Sequence, residues 1–197
     1  MFSVQLLLVL FAFAHSSTTL EPQKCTSPST LQGKETSFDY ERRFEREALW
    51  VYDADREAVA WYETVDLNST RAAYHDIWLW KERAWFRFNI RTRQCTRREL
   101  TLPFAILKVP SNAQFIASRY LGSSAAEGEN LLVNVWVAQD EDVWSKYNSE
   151  RVFTDADCLP VYVAKFRPTS VERSTFFNLT RTISRPDLFV PPEECAQ

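Results

Sequence analysis

His75 is the one imidazole left once an N-terminal segment containing His15 is set aside, and that narrows the chemistry open to this chain. A Ser/His/Asp relay would have to run through His75, whose setting in Tyr74-His75-Asp76-Ile77 reads as an ordinary strand start. A closed zinc site needs about four nitrogen or sulfur ligands, and the four cysteines, Cys25, Cys95, Cys158 and Cys195, read instead as an oxidised framework. Glycine occurs only at Gly33, Gly122 and Gly128, too few for the Gly-rich loops that bring backbone amides against a phosphate. A glycosidase-type carboxylate pair is conceivable, but no spacing singles out an acid and a base among 26 acidic residues. The chain is read as a non-enzyme.

The visible acidic pairs are Asp53 with Asp55, Asp140 with Asp142 and Asp155 with Asp157. None belongs to an EF-hand loop, and each suits a turn in which Asp bonds nearby backbone amides, so no metal ligand is assigned.

These residues are carried by a chain built for export. Val4 to Ala14 is an apolar run, and Ala14-His15-Ser16 supplies small residues at a signal-peptidase spacing. The expected organisation is a signal peptide over 1–16 and a single domain over 17–197. The apolar run is roughly half of the ~20 residues a membrane span requires. With a net charge of −3, nucleic acid is not an expected partner. The charges are nonetheless segregated. Lys81, Arg83, Arg87, Arg91, Arg93, Arg97 and Arg98 crowd one stretch, and Asp140, Glu141, Asp142, Glu150, Asp155 and Asp157 another. The basic stretch is either a solvated face or a patch for an anionic membrane headgroup or a sialylated glycan.

Short strands dominate the rest. Ala48–Tyr52 and Ala58–Tyr62 flank Asp53-Ala54-Asp55-Arg56 as a hairpin, and Ile77–Trp80 and Trp85–Ile90 flank Lys81-Glu82-Arg83-Ala84 as a second. In the last of these, Phe86, Phe88 and Ile90 share one side and Arg87 and Asn89 the other. Further strands are expected at 94–102, 114–121, 131–138, 159–166 and 175–183. One helix is expected at 140–148, where Val143, Trp144 and Tyr147 share a face. This many short strands without long crossovers implies a mostly antiparallel, two-sheet β fold with one or two short helices. The sequons Asn68-Ser69-Thr70 and Asn178-Leu179-Thr180 are expected glycosylation sites on an exported chain.

An ordered set of short motifs runs along the chain: Cys25-Thr26-Ser27-Pro28 with Gly33, Tyr52-Asp53, Arg93-Gln94-Cys95, Leu102-Pro103, Val109-Pro110, Asp157-Cys158-Leu159-Pro160-Val161, and Phe189-Val190-Pro191-Pro192-Glu193-Glu194-Cys195. Together they resemble the ependymin-related proteins, including the mammalian-type branch. The resemblance implies two stacked antiparallel sheets around a hydrophobic pocket, an architecture shared with bacterial lipoprotein carriers. It also implies a homodimer, glycosylation, calcium association and a secreted or lysosomal location. Of the three possible pairings of four cysteines, it selects Cys25 with Cys158 and Cys95 with Cys195.

If the sheets stand apart, side chains facing the gap line a cavity for an acyl chain or sterol-like body. The expected lining residues are Trp78, Trp80, Phe86, Phe88, Leu131, Val133 and Trp136, although the sequence leaves open which pleat face of Ile77–Trp80 looks inward. The leading expectation is a secreted carrier of hydrophobic ligands. The alternative is a calcium-dependent cell–matrix adhesion protein.

Overall fold

Among the described residues, alternation of large apolar with polar residues lays down eleven antiparallel strands. They are β1 (Thr30–Asp39), β2 (Phe44–Asp53), β3 (Ala58–Leu67), β4 (Thr70–Leu79), β5 (Ala84–Asn89), β6 (Gln94–Glu99), β7 (Gln114–Gly122), β8 (Asn130–Gln139), β9 (Asn148–Thr154), β10 (Pro160–Arg167) and β11 (Ser170–Thr180). Two single 3₁₀ turns follow, Pro186–Phe189 and Glu193–Ala196. The computed structural model describes residues 21–123, 128, 130–139, 148–154, 157–167 and 169–196. The expected signal peptide lies outside these residues. So does the expected helix at 140–148, except that Asn148 opens β9.

The architecture is the expected mainly β one, with stacked antiparallel sheets. Hydrogen bonding is continuous between them, in the order β6-β5-β4-β3-β2-β1-β11-β10-β9-β8-β7. Each half is a meander of sequence neighbours, and the halves join where β1 pairs with β11.

The turns explain the regularity of the first half. Asp39, Asp53 and Asn89 end their strands and accept a hydrogen bond from the backbone N–H three residues on, at Arg42, Arg56 and Thr92. This is the local bonding that suits Asp and Asn to turns. Arg43, Glu57, Arg83 and Arg93 then close their turns at positive φ, between 49° and 54°. A type I turn followed by a left-handed residue is a common way to build such a hairpin loop.

Both faces of the β2–β5 region are covered. On one, Val51, Ala58, Ala60, Ile77, Leu79, Ala84, Phe86 and Phe88 pack beneath Leu188, Phe189 and Cys195 of the C-terminal turns. On the other, Leu31, Trp50, Tyr52 and Val59 pack against Phe104 and Leu107 of the β6–β7 connection and Leu159, Phe176 and Leu179 of the second half. The Tyr52 hydroxyl accepts a hydrogen bond from the Leu107 N–H at 3.1 Å. Covering both faces explains the unbroken burial from Trp50 to Asp53.

The two bridges form as the family resemblance implied, Cys25–Cys158 and Cys95–Cys195. The first binds the segment before β1 to the β9–β10 connection. Ser27 reinforces it by donating its hydroxyl to the Cys158 carbonyl at 2.7 Å. The second holds the C-terminal turns against β6.

Gly33 marks the seam between the halves, at the irregularity in β1–β11 register. A Cβ there would stand 2.6 Å from Leu179 Cδ2 and 2.8 Å from the Phe177 carbonyl oxygen. The second obstacle is backbone and cannot swing aside. Gly33→Ala is therefore expected to cost about 1–3 kcal/mol through overpacking, read as a shift of the urea midpoint at unchanged slope.

Candidate functional site

The seven expected lining residues do not share one cavity. Trp78 of β4 and Trp80, just past its end, have ring centroids 5.5 Å apart, and Trp78 also meets Trp61 at 5.7 Å and Trp85 at 5.5 Å. Phe86 and Phe88 belong to the opposite face, since Phe86 pairs with Ile77, and they are buried under Leu188 and Phe189. Val133 is fully buried beside Val135, with Val161 and Tyr162 against it. Trp136 packs on Phe115, Val109, Ala113 and the Cys25–Cys158 bridge. Leu131, 43% exposed, stands at the rim of an open hollow. The odd–even alternation of β4 decides the split between the tryptophans and the phenylalanines: Trp78 and Ile77 cannot face the same way.

The hollow is built by the start of β8, the β9–β10 connection, β10 and β11. Leu131, Leu159, Pro160, Val161, Phe176 and Leu179 supply apolar walls, and Asp157 and Asn178 stand with them. Its volume is about 330 Å³, at the small end of ligand pockets. Pro160 is tolerated because it opens β10, and Phe176 is braced by Trp50 at 5.2 Å between centroids. Of these apolar walls, the sequence reading found only Leu131. A signal was present for three others, because Leu159, Pro160 and Val161 sit inside the motif Asp157–Val161.

Beside the tryptophans lies a second, charged constellation. Arg46 lies 2.5 Å from Glu35 and 3.7 Å from Glu63, while Arg87 lies 3.4 Å from both Glu63 and Asp76. Trp61 donates to Glu35 at 2.8 Å and Trp85 to Asp76 at 2.6 Å. Three carboxylates thus share two guanidiniums. Burial opposes ionisation of Glu35, but Arg46 and hydrogen bonds from Ser37, Trp61 and Ser174 together outweigh it, so its carboxyl titrates below the ordinary value. Glu63 is pushed up to about 7, first by burial and then by the neighbouring charge of Asp76, against Arg46 and Arg87.

His75 is buried, and its Nε2–H donates to the Leu188 carbonyl at 2.8 Å. Burial pushes it below the ordinary imidazole value despite that bond. It is a structural histidine fixing the C-terminal turn. Asp53 closes its turn with Arg56, and Asp157 pairs with Arg181. Asp140, Asp142 and Asp155 lie outside the described residues. Among the described residues, no group of three or more His, Cys, Asp or Glu side chains is placed to hold a metal.

The sequon asparagines are both exposed and both adopt left-handed backbone, Asn68 at φ 51° and Asn178 at φ 52°. Asn68 sits in the tight β3–β4 turn. Asn178 interrupts β11 at the rim of the hollow.

No helix among the described residues is long and apolar enough to cross a membrane. In overall fold the chain is similar to an uncharacterized conserved protein from Thermus thermophilus, with a TM-score of 0.54 at 10% identity over 85% of this chain and 88% of that one. In sequence it is 28% identical to mammalian ependymin-related protein 1 of Mus musculus, over 88% of this chain and 77% of the relative. It is 23% identical to ependymin-2 of Oncorhynchus mykiss over 88% and 78%. The family model described as Ependymin matches residues 68–195. That span takes in the hollow and the motifs from Arg93-Gln94-Cys95 to Cys195, and the chain belongs to the ependymin family.

Proposed function

We propose that this protein is a secreted, non-catalytic binder that receives a hydrophobic ligand, an acyl chain or similar lipid body, in the hollow beneath Leu131. The observation that carries this reading is the hollow itself, about 330 Å³ with six apolar walls. Burying ~300 Å² of apolar ligand surface there contributes roughly 7 kcal/mol at ~25 cal/mol per Å², before the entropy lost on association. Affinity then needs no charged anchor. The rigid walls matter as much as their polarity, because a hollow held by a disulfide and by the Trp50–Phe176 contact need not be ordered when the ligand arrives. Both bridges and the family membership support an oxidising, extracellular setting.

The test is binding of a fluorescent fatty acid to protein purified from a eukaryotic secretory host, with native mass spectrometry for copurifying lipid. Leu131→Asp places a charge at the rim, where the residue is exposed and the fold tolerates it. Its expected effect is at least a tenfold loss of probe affinity, about 1.4 kcal/mol or more, with an unchanged melting curve. Equal affinity in the variant would refute the assignment.

The reading includes N-glycans at Asn68 and Asn178. Asn68→Asp and Asn178→Asp should each remove one glycan mass, and the double variant both, on a denaturing gel. Aspartate is the substitution of choice because it accepts positive φ.

A further inference from the structure

Among the described residues β6 is an outer strand of the sheet, and its flank is strongly basic in a chain whose net charge is −3. Arg91, Arg93, Arg97 and Arg98 are all exposed on β6 or the turn before it, as is Arg83 in the turn that closes β4 onto β5, whereas the neighbouring Lys81 is turned the other way, onto the Asp55 carbonyl. The two turns bracket opposite ends of the β5–β6 pair. The cations are therefore spread along both sides of an edge strand of six residues, about 20 Å at ~3.4 Å per residue.

We propose that this edge binds a linear sulfated polysaccharide of the glycosaminoglycan class. Arg97 lies over the Phe86 ring at 5.6 Å and Arg98 over the Trp85 ring at 5.1 Å, on opposite faces of the sheet. The two guanidiniums thus straddle the edge, held by stacking before any ligand arrives. A guanidinium presents a planar fork that matches a sulfate's oxygens, and stacking leaves its edge donors free to bond. The acidic groups along the edge do not seal it. Arg83 pairs with Glu99 at 2.7 Å with both side chains more than half exposed, and Arg93 pairs with Glu194 at the surface. Exposed pairs of this kind contribute only ~0–1 kcal/mol, so a polyanion can exchange for them.

The shape of the patch selects the partner. A strip of charge one strand wide and several cations long matches a chain with sulfates repeating along it, whereas a membrane presents a plane of headgroups. Charged edge residues also discourage strand-to-strand association. That role alone requires no affinity for sulfate, and so the experiment separates the two.

The glycosylated full-length protein is loaded on immobilised heparin at about 0.15 M NaCl, close to physiological ionic strength, and eluted with salt. The wild type is expected to be retained, and soluble desulfated heparin should fail to compete. Arg97→Ser/Arg98→Ser should weaken binding at least about tenfold with unchanged near-UV circular dichroism. Arg98→Lys, which keeps the charge and loses the fork, should fall between. Arg71→Ser/Arg119→Ser, which removes the same charge elsewhere, should elute with the wild type, as should Leu131→Asp. The proposal is overturned if the wild type flows through, or if the Arg71/Arg119 variant weakens as much as the Arg97/Arg98 variant. It is equally overturned if phosphatidylserine vesicles, rather than heparin, show the Arg97/Arg98 dependence.

Discussion

Replacing Cys25 and Cys158 together by serine is expected to destabilise the protein by up to about 4–5 kcal/mol and to abolish binding of a hydrophobic probe. The magnitude follows from the size of the loop that the bridge closes. A separation of 133 residues leaves the oxidised unfolded chain far fewer conformations than the reduced one, and the chain-entropy relation gives ~4.7 kcal/mol for a loop of about 100 residues. The loss of binding follows from position. Cys158 is flanked by Asp157 and Leu159, both on the wall of the hollow, and the bridge supports Trp136. The Cys95–Cys195 bridge closes a comparable separation of 100 residues but holds the C-terminal turns over Phe86 and Phe88, away from the hollow. Its serine double variant should therefore lose similar stability while keeping probe affinity at temperatures where it remains folded. Denaturant titration and probe titration on both variants distinguish the two. Equal loss of binding would mean that the bridges act on one common unit.

The second large effect is a pH dependence that Glu63→Gln removes. In the folded protein Glu63 holds its proton up to about 7, whereas the ordinary value is 4.5. Between these values the unfolded chain ionises at this position and the folded chain does not. Stability contributed by the protonated form is thus complete below about 4.5 and is lost as pH rises through the window to about 7. By linkage the loss amounts to roughly 3 kcal/mol. His75 works in the opposite direction. Its folded value is depressed, so it makes stability rise with pH until its unfolded value of 6.5 is passed. Glu35, also depressed, adds stability that is lost only as pH falls below its ordinary value of 4.5. The wild-type profile superposes all three, and the informative quantity is the difference between Glu63→Gln and wild type. Glutamine mimics the protonated carboxyl, so that difference should grow in favour of the variant by roughly 3 kcal/mol from about pH 4.5 to about pH 7.5 and stay level beyond. A difference independent of pH would show that Glu63 ionises normally within the fold.

The sequence disclosed strands wherever one pleat face is apolar and the other polar. Both expected hairpins are present as β2–β3 and β4–β5, and the later expectations fall on β6, β7, β8, β10 and β11 with ends displaced by a few residues. β1 was illegible because its buried face carries Glu35, Ser37 and Asp39: the Glu35 carboxylate is neutralised only when Arg46 and Trp61 arrive from other strands, Ser37 meets Ser174 of β11, and Asp39 is taken up by its own turn to Arg42. β9 was hidden within the acidic stretch. The candidate site was less legible than the fold. Size and aromaticity point to the tryptophans and phenylalanines, yet the large aromatics of this protein brace one another or flank the carboxylates, and the hollow is walled mostly by Leu, Val and Pro from a connection and strand ends. Whether a side chain meets a void or a neighbour depends on how the two halves close, which no local pattern records.

The pairing of β1 with β11 sets strands from opposite ends of the chain side by side in the middle of the sheet. During vectorial synthesis the first six strands can zip up in order as they emerge, yet the free flank of β1 must wait for residues beyond 170 before it is sealed. On the secretory route proposed above, a polypeptide cut short anywhere upstream of that point carries an open central ribbon, and ribbons of that kind recruit foreign strands. Premature termination in this protein should accordingly yield retained, chaperone-bound material instead of a shortened but secreted product.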